Sequence, residues 1–174
     1  MNKQEIADLL ETKYSALFLF LDNQSDDRWE IGPAGKWTTG QQVLHLLQSI
    51  KPLNAAMSLP KFIIRARFGT SNRELRDYDT VVKRYHERLK ATNGATFRPS
   101  RQMKTPGIRD KSYLIDRLRV ENKKLQYKTL KWPDKNLDQL VLPHPLMGKM
   151  PVREMLMWSA YHVEHHCNTL ISHY

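Results

Sequence analysis

Cysteine is nearly missing from this chain: Cys167 is alone among 174 residues. A single thiol excludes an internal disulfide framework and any cysteine-built zinc ribbon. Long apolar runs are missing as well. The longest, Tyr14 to Leu21, falls far short of the roughly 20 residues that a bilayer span needs. It follows the acidic residues Glu5, Asp8 and Glu11, the wrong flank for a signal peptide. The expected address is the cytoplasm, with no membrane partner. No stretch reads as a convincing strand, hairpin or internal repeat. No finger, homeodomain or RNA-recognition signature appears either.

What is present is ordinary for a globular chain: 40% hydrophobic and 26% charged residues. The length suits one domain over residues 1–174. Acidic residues are in deficit, 18 against 28 Lys and Arg, for a net charge of +10. The excess is concentrated. Residues 61–131 hold 20 Lys and Arg against 7 Asp and Glu. A solvated helix face is the plain reading of this basic middle. An anionic partner is the other: nucleic acid, an anionic membrane or an anionic small molecule. Phosphate-driven binding would weaken steeply with salt.

Helical periodicity dominates. Ile6, Leu9, Leu10, Leu17 and Leu21 recur at spacings of three, four and seven, which predicts a helix over 3–22. The polar segment Asp22 to Gly35 ends in Gly-Pro-Ala-Gly and is a connection. Trp37-Thr38-Thr39 opens a second helix through a threonine cap. Val43, Leu46, Ile50, Leu53 and Met57 continue it, with Pro52 expected to bend it or end it early. Asn72 to Ala91 reads as a helix through Leu75, Tyr78, Val82, Tyr85 and Leu89. Thr92 to Gly107 reads as a loop. A third long helix is expected over Ile108 to Leu130, stopped by Trp132-Pro133-Asp134. Leu140 to Gly148, with two prolines around His144, reads as a rigid connector. Pro151 opens a last helix to about Ser172. Four long amphipathic helices in one domain predict an all-α four-helix bundle. Its second and third main helices are joined by a long, partly helical connection.

Histidine holds the chemistry. His162 and His166 are four apart, about 40° from each other on one helical face. Alone, this pair reads as a polar helix edge. His45 in the second helix changes the weighing. It borders the stripe Leu46, Ile50, Leu53 and Met57, as the pair borders Val152, Leu156, Val163, Cys167 and Leu170. If the two helices are neighbours, three imidazoles meet at the bundle rim. Three neutral imidazoles leave an open position on a metal, the arrangement of catalytic rather than structural zinc.

Three stretches resemble the DinB-like (DinB/YfiT) superfamily of metal-dependent enzymes. They are Trp37-Thr38-Thr39 through His45-Leu46, Leu142 to Lys149, and Val152-Arg153-Glu154-Met155-Leu156 running into His162 and His166. The resemblance covers nearly the whole chain. It implies the DinB-like bundle fold, a metal triad of His45, His162 and His166, nickel or zinc as the metal, and a homodimer. It also implies a thiol-dependent S-transferase or a hydrolase acting on a small molecule, with a low-molecular-weight thiol as a further cofactor. Residues 60–106 depart from the characterised transferases as an elaborated connection. Other classes stay open: a non-catalytic metal-binding or stress-response binding protein, and a nucleic-acid accessory protein using the basic middle.

The remaining residues have plainer expected roles. His165 is a neighbour of the pair rather than a ligand. His144 is a turn residue, with approach to the site as its second reading. Glu164 is solvated or paired with a lysine. Cys167 is a small buried hydrophobe. Trp158 and Tyr161 pack. His86 and His173 belong to no constellation.

Overall fold

The computed structural model describes residues 1–92 and 103–174. Most of the loop expected over 92–107 lies outside these residues. Helix α1, Lys3–Asn23, starts at Asn2, whose side chain accepts the Glu5 N–H while the Glu5 carboxylate accepts the Asn2 N–H. This reciprocal pair satisfies two amide hydrogens that the first turn leaves bare. Ile6, Leu10, Tyr14, Leu17 and Leu21 form its buried stripe. The connection after α1 holds one helical turn, α2, Asp27–Glu30. Its Trp29 is buried, and the indole N–H donates to the Gly107 carbonyl at 3.0 Å. Trp29 also lies against Gly40, where a Cβ would stand 2.9 Å from the ring. Glycine at that position lets the connection dock on the next helix.

That helix, α3, spans Thr39–Ser58 and carries the expected cap. Thr38 Oγ accepts the Gln41 N–H at 3.2 Å, and Gln41 Oε1 accepts the Thr38 N–H at 3.0 Å. Pro52 does not end it; the helix runs on for six residues. An interior proline costs about 3 kcal/mol. Burial of Ile50, Leu53 and Met57 around it offsets that cost. Asn54 adds a tie, donating to the backbone carbonyl and the carboxylate of Glu121 at 2.9 and 2.8 Å.

The link to the third main helix differs from expectation at its start. A short helix α4, Lys61–Phe68, follows directly. The helix expected over 72–91 begins only at Tyr78: α5 is Tyr78–Ala91, capped by Asp77, which accepts the Thr80 N–H at 2.7 Å. Leu75 is accordingly outside any helix and part-exposed. Residues before Tyr78 are pinned by a distant group instead. Glu154 accepts from Arg73 Nη1 and Nη2 at 2.6 and 2.7 Å and from the Arg76 backbone N–H at 2.8 Å.

Helix α6, Lys111–Lys131, follows a single 3-10 turn at Ile108–Asp110. Helix α7 is Asp134–Gln139 and the last helix, α8, is Val152–His173. Between them the expected rigid connector is a hairpin, a correction to the strand-free reading. Strands β1, Val141–His144, and β2, Gly148–Pro151, pair antiparallel with His144 opposite Gly148. Gly148 has φ 74°, a conformation that favours glycine. His144 Nδ1 accepts the backbone N–H groups of Leu146 and Met147 at 3.1 and 3.0 Å, which tightens the turn.

Helices α1, α3, α6 and α8 form the bundle. Helix α1 packs on α8 and α6, while α3 packs on α6 and α8, so α1 and α3 stand diagonally. This is not simple up-and-down order. Buried residues of all four join one apolar cluster. Helix α5 lies against α8, where it covers the histidine-bearing half.

Candidate metal centre

The three histidines meet. His45 from α3 and His162 from α8 have their Nε2 atoms 3.1 Å apart, and the Nε2 atoms of His162 and His166 are 3.0 Å apart. Ring centroids lie 4.6–5.0 Å from one another. His162 and His166 are buried and His45 is half-buried. The heptad-like placement of the pair on α8 and the cap at Thr38, which sets the start of α3, together fix this convergence.

Hydrogen bonding on the far side of each ring decides what converges. His166 Nδ1 donates to Gln42 Oε1. Ser49 gives its hydroxyl proton to the Leu46 carbonyl at 3.0 Å. Its oxygen, 3.4 Å from His162 Nδ1, is left to accept the proton there. Both rings then present an unprotonated Nε2 to the shared centre. Two lone pairs 3.0 Å apart repel; a cation between them removes the conflict. With bonds of about 2.0–2.1 Å, nitrogens at this separation subtend roughly 90–100° at a shared ion. The donor set therefore fits a divalent transition ion, and imidazole suits zinc and nickel alike. Gln42 and Ser49 are the outer partners that such ligands use to fix tautomer and ring orientation.

Burial reinforces this state. Desolvation, helped by neighbouring imidazoles, holds His162 and His166 well below the ordinary histidine value. Desolvation and the charge of His165 bring His45 down to about 4. All three are neutral near pH 7 and ready to ligate without losing a proton.

Aromatic rings wall the cluster. Trp37 faces His45 with centroids 5.0 Å apart and lies parallel to His166 at 6.3 Å. Trp158 stacks on His162 at 4.6 Å, and His144 meets the back of Trp158 edge-on at 4.2 Å. His144 thus serves the turn and also touches the ring that supports His162. His165 does not join the triad; its ring packs among Tyr85, His86 and His166. His86 departs from expectation. Its Nε2 is 2.5 Å from the Tyr161 hydroxyl, so it does belong to a cluster, beside the site. Glu164 pairs with Lys13 at 2.6 Å, and Cys167 is buried.

Sequence reasoning missed Gln42 and Ser49. Their spacing holds a signal: they precede and follow His45 by three and four residues, one turn on either side of it. The roles of Trp37 and Trp158 as ring supports were not legible beyond packing.

Comparisons with known proteins bear on the fold. No protein-family model and no curated protein sequence matches this chain. Solved structures that are similar include two four-helix bundles. TT2238, described as a four-helix bundle protein, is 16% identical with a TM-score of 0.58, covering 98% of this chain and 99% of that one. YfiT from Bacillus subtilis is described as a probable metal-dependent hydrolase with an unusual four-helix bundle topology. It is 17% identical with a TM-score of 0.57, covering 95% of this chain and 81% of that one. These likenesses show that the chain shares the four-helix-bundle fold of the two structures.

Proposed function

We propose that this chain is a metal-dependent enzyme acting on a small molecule, by hydrolysis or by S-transfer from a thiol. The observation that supports it most is the triad itself: three imidazoles brought together, with the ring protons of His162 and His166 held outward. His45, His162 and His166 would hold zinc or nickel, which supplies Lewis acidity toward water or a thiol. The name given to YfiT, a probable metal-dependent hydrolase, agrees with the hydrolytic form.

The chain's own residues prepare the site. Gln42 and Ser49 hold the tautomers of His166 and His162. Trp37 and Trp158 limit rotation of the imidazoles and keep bulk water off two of them. Cys167 is buried, and burial pushes its thiol above the ordinary value, which disfavours the thiolate. S-transfer would therefore need a low-molecular-weight thiol from outside. The homodimer and the cytoplasmic address go with this reading through the family resemblance.

Turnover separates an enzyme from a binding protein. Metal-loaded chain is assayed on test esters, amides and electrophiles, with and without added thiol. His45→Ala is expected to lower kcat/KM at least about 100-fold while the circular dichroism spectrum stays the same. An unchanged rate in that variant sinks the reading.

A further inference from the structure

Helix α4 presents a face that none of the described residues covers. It buries Ile64 on one side, toward β1. On the opposite side Phe62 is 72% exposed and Ile63 is 37% exposed. Phe62, Ala66 and Ile63 fall within about 100° of the helical wheel. Arg65 lies just outside Phe62 on that wheel, and Arg67 just outside Ile63. Leu59, 38% exposed, adds apolar surface immediately before the helix. The result is an apolar centre with a guanidinium on each flank.

The charge along the flanking sequence is of one sign. From Ile31 to Arg73 the sequence has no Asp or Glu, yet it has Lys36, Lys51, Lys61, Arg65, Arg67 and Arg73. Arg73 is taken by Glu154. Lys61 sits over the Trp132 ring, 3.6 Å from its centroid, rather than on a carboxylate. Its neighbour Lys128 rests on neutral partners, the Asn54 carbonyl at 2.5 Å and the Ser58 hydroxyl at 2.7 Å. Burial and the charge of Lys128 both hold the Lys61 ammonium below its ordinary value, so these cations repel each other.

We propose that the α4 face docks on the anionic surface of a lipid bilayer. Phe62 and Ile63 would enter the boundary between headgroups and acyl chains, and Arg65, Arg67, Lys61 and Lys128 would meet lipid phosphates. Cations beside exposed aromatic and aliphatic side chains are the pattern of helices that lie in the interface plane. No helix among the described residues is long and apolar enough to cross a membrane; surface docking needs neither. A second copy of the chain fits worse, because self-pairing of this face brings like charges together. Nucleic acid would use the cations but leave Phe62 and Ile63 in water.

Co-sedimentation of the full chain with vesicles tests this. One set is phosphatidylcholine with about one-third phosphatidylglycerol, the other phosphatidylcholine alone. The chain is expected to pellet only with the anionic set, less so as salt rises. Phe62→Ser/Ile63→Ser and Arg65→Gln/Arg67→Gln should each lower the bound fraction at least about five-fold. Both should keep the helical spectrum and the metal content of the parent, which separates this surface from the histidine site. Absence of binding to the anionic vesicles overturns the proposal, as does binding that neither variant weakens. Preferential capture of duplex DNA would reassign the face to nucleic acid. A dimer in sedimentation velocity that Phe62→Ser dissolves, with no vesicle binding, would reassign it to self-association.

Discussion

Replacing both His162 and His166 by alanine is expected to cut bound metal from about one ion per chain to below about a tenth. The fold should survive. The apolar stripe of α8, with Val152, Leu156, Val163 and Leu170 fully buried, is separate from the two imidazoles. The loss should be near complete because His45 alone cannot hold an ion that three nitrogens share. Added zinc or nickel should raise the thermal midpoint of the parent, since a ligand at 100 times its Kd stabilises by about 2.7 kcal/mol. It should leave the double variant unmoved. Metal content by mass spectrometry and thermal melts read both effects. A variant that still holds an ion would place the metal elsewhere.

Glu154→Ala is expected to lower stability by about 3 kcal/mol at pH 7, or roughly 10 °C in Tm. The Glu154 side chain has no exposure, and both its oxygens are taken by Arg73 and Arg76. Its loss leaves two half-buried guanidiniums without a carboxylate and frees the segment before α5. The effect should depend on pH. Burial pushes the Glu154 carboxyl up, but the Arg73 guanidinium, the Arg76 N–H and the two positive charges outdo it, and the net shift is down. A lowered carboxyl contributes stability that is full above the ordinary carboxylate value of about 4.3. That contribution is lost as pH falls through the folded-state value. Parent and variant should therefore converge in acid. Urea melts at pH 7 and at about pH 3 show this. A gap of equal size at both would mean that packing, not charge, sets the cost.

The bundle was legible because its information is local. Periodic apolar residues mark both ends of α1 and α8 within a residue, the cap at Thr38 marks the start of α3, and the stop at Trp132-Pro133 marks the end of α6, whose start lies three residues past the expected Ile108. The triad was legible for a related reason: His45, His162 and His166 border the buried stripes of two helices, so neighbouring helices bring them together. What escaped the sequence is held by distant partners. Residues 72–77 have helix-forming composition, yet Glu154, some 80 positions on, extracts them from α5. The hairpin escaped because the prolines around His144 read as a rigid connector and Pro151 as a helix opener, whereas Pro143 and Pro151 lie within its strands. A two-stranded ribbon tolerates them, since each strand leaves one edge unpaired. Pro52 misled in the opposite direction; burial on both sides of it keeps α3 continuous. His86 was invisible as a site neighbour because only the packing of α5 on α8 carries it to Tyr161.

The most direct test of the metal centre is X-ray absorption spectroscopy of the zinc- or nickel-loaded chain. Three imidazole nitrogens at about 2.0–2.1 Å, with the imidazole back-scattering falling by at least a third in His45→Ala, are the expected result. A first shell containing sulfur, or one of oxygens with no imidazole signal, would contradict the triad of His45, His162 and His166 as the site that holds the ion.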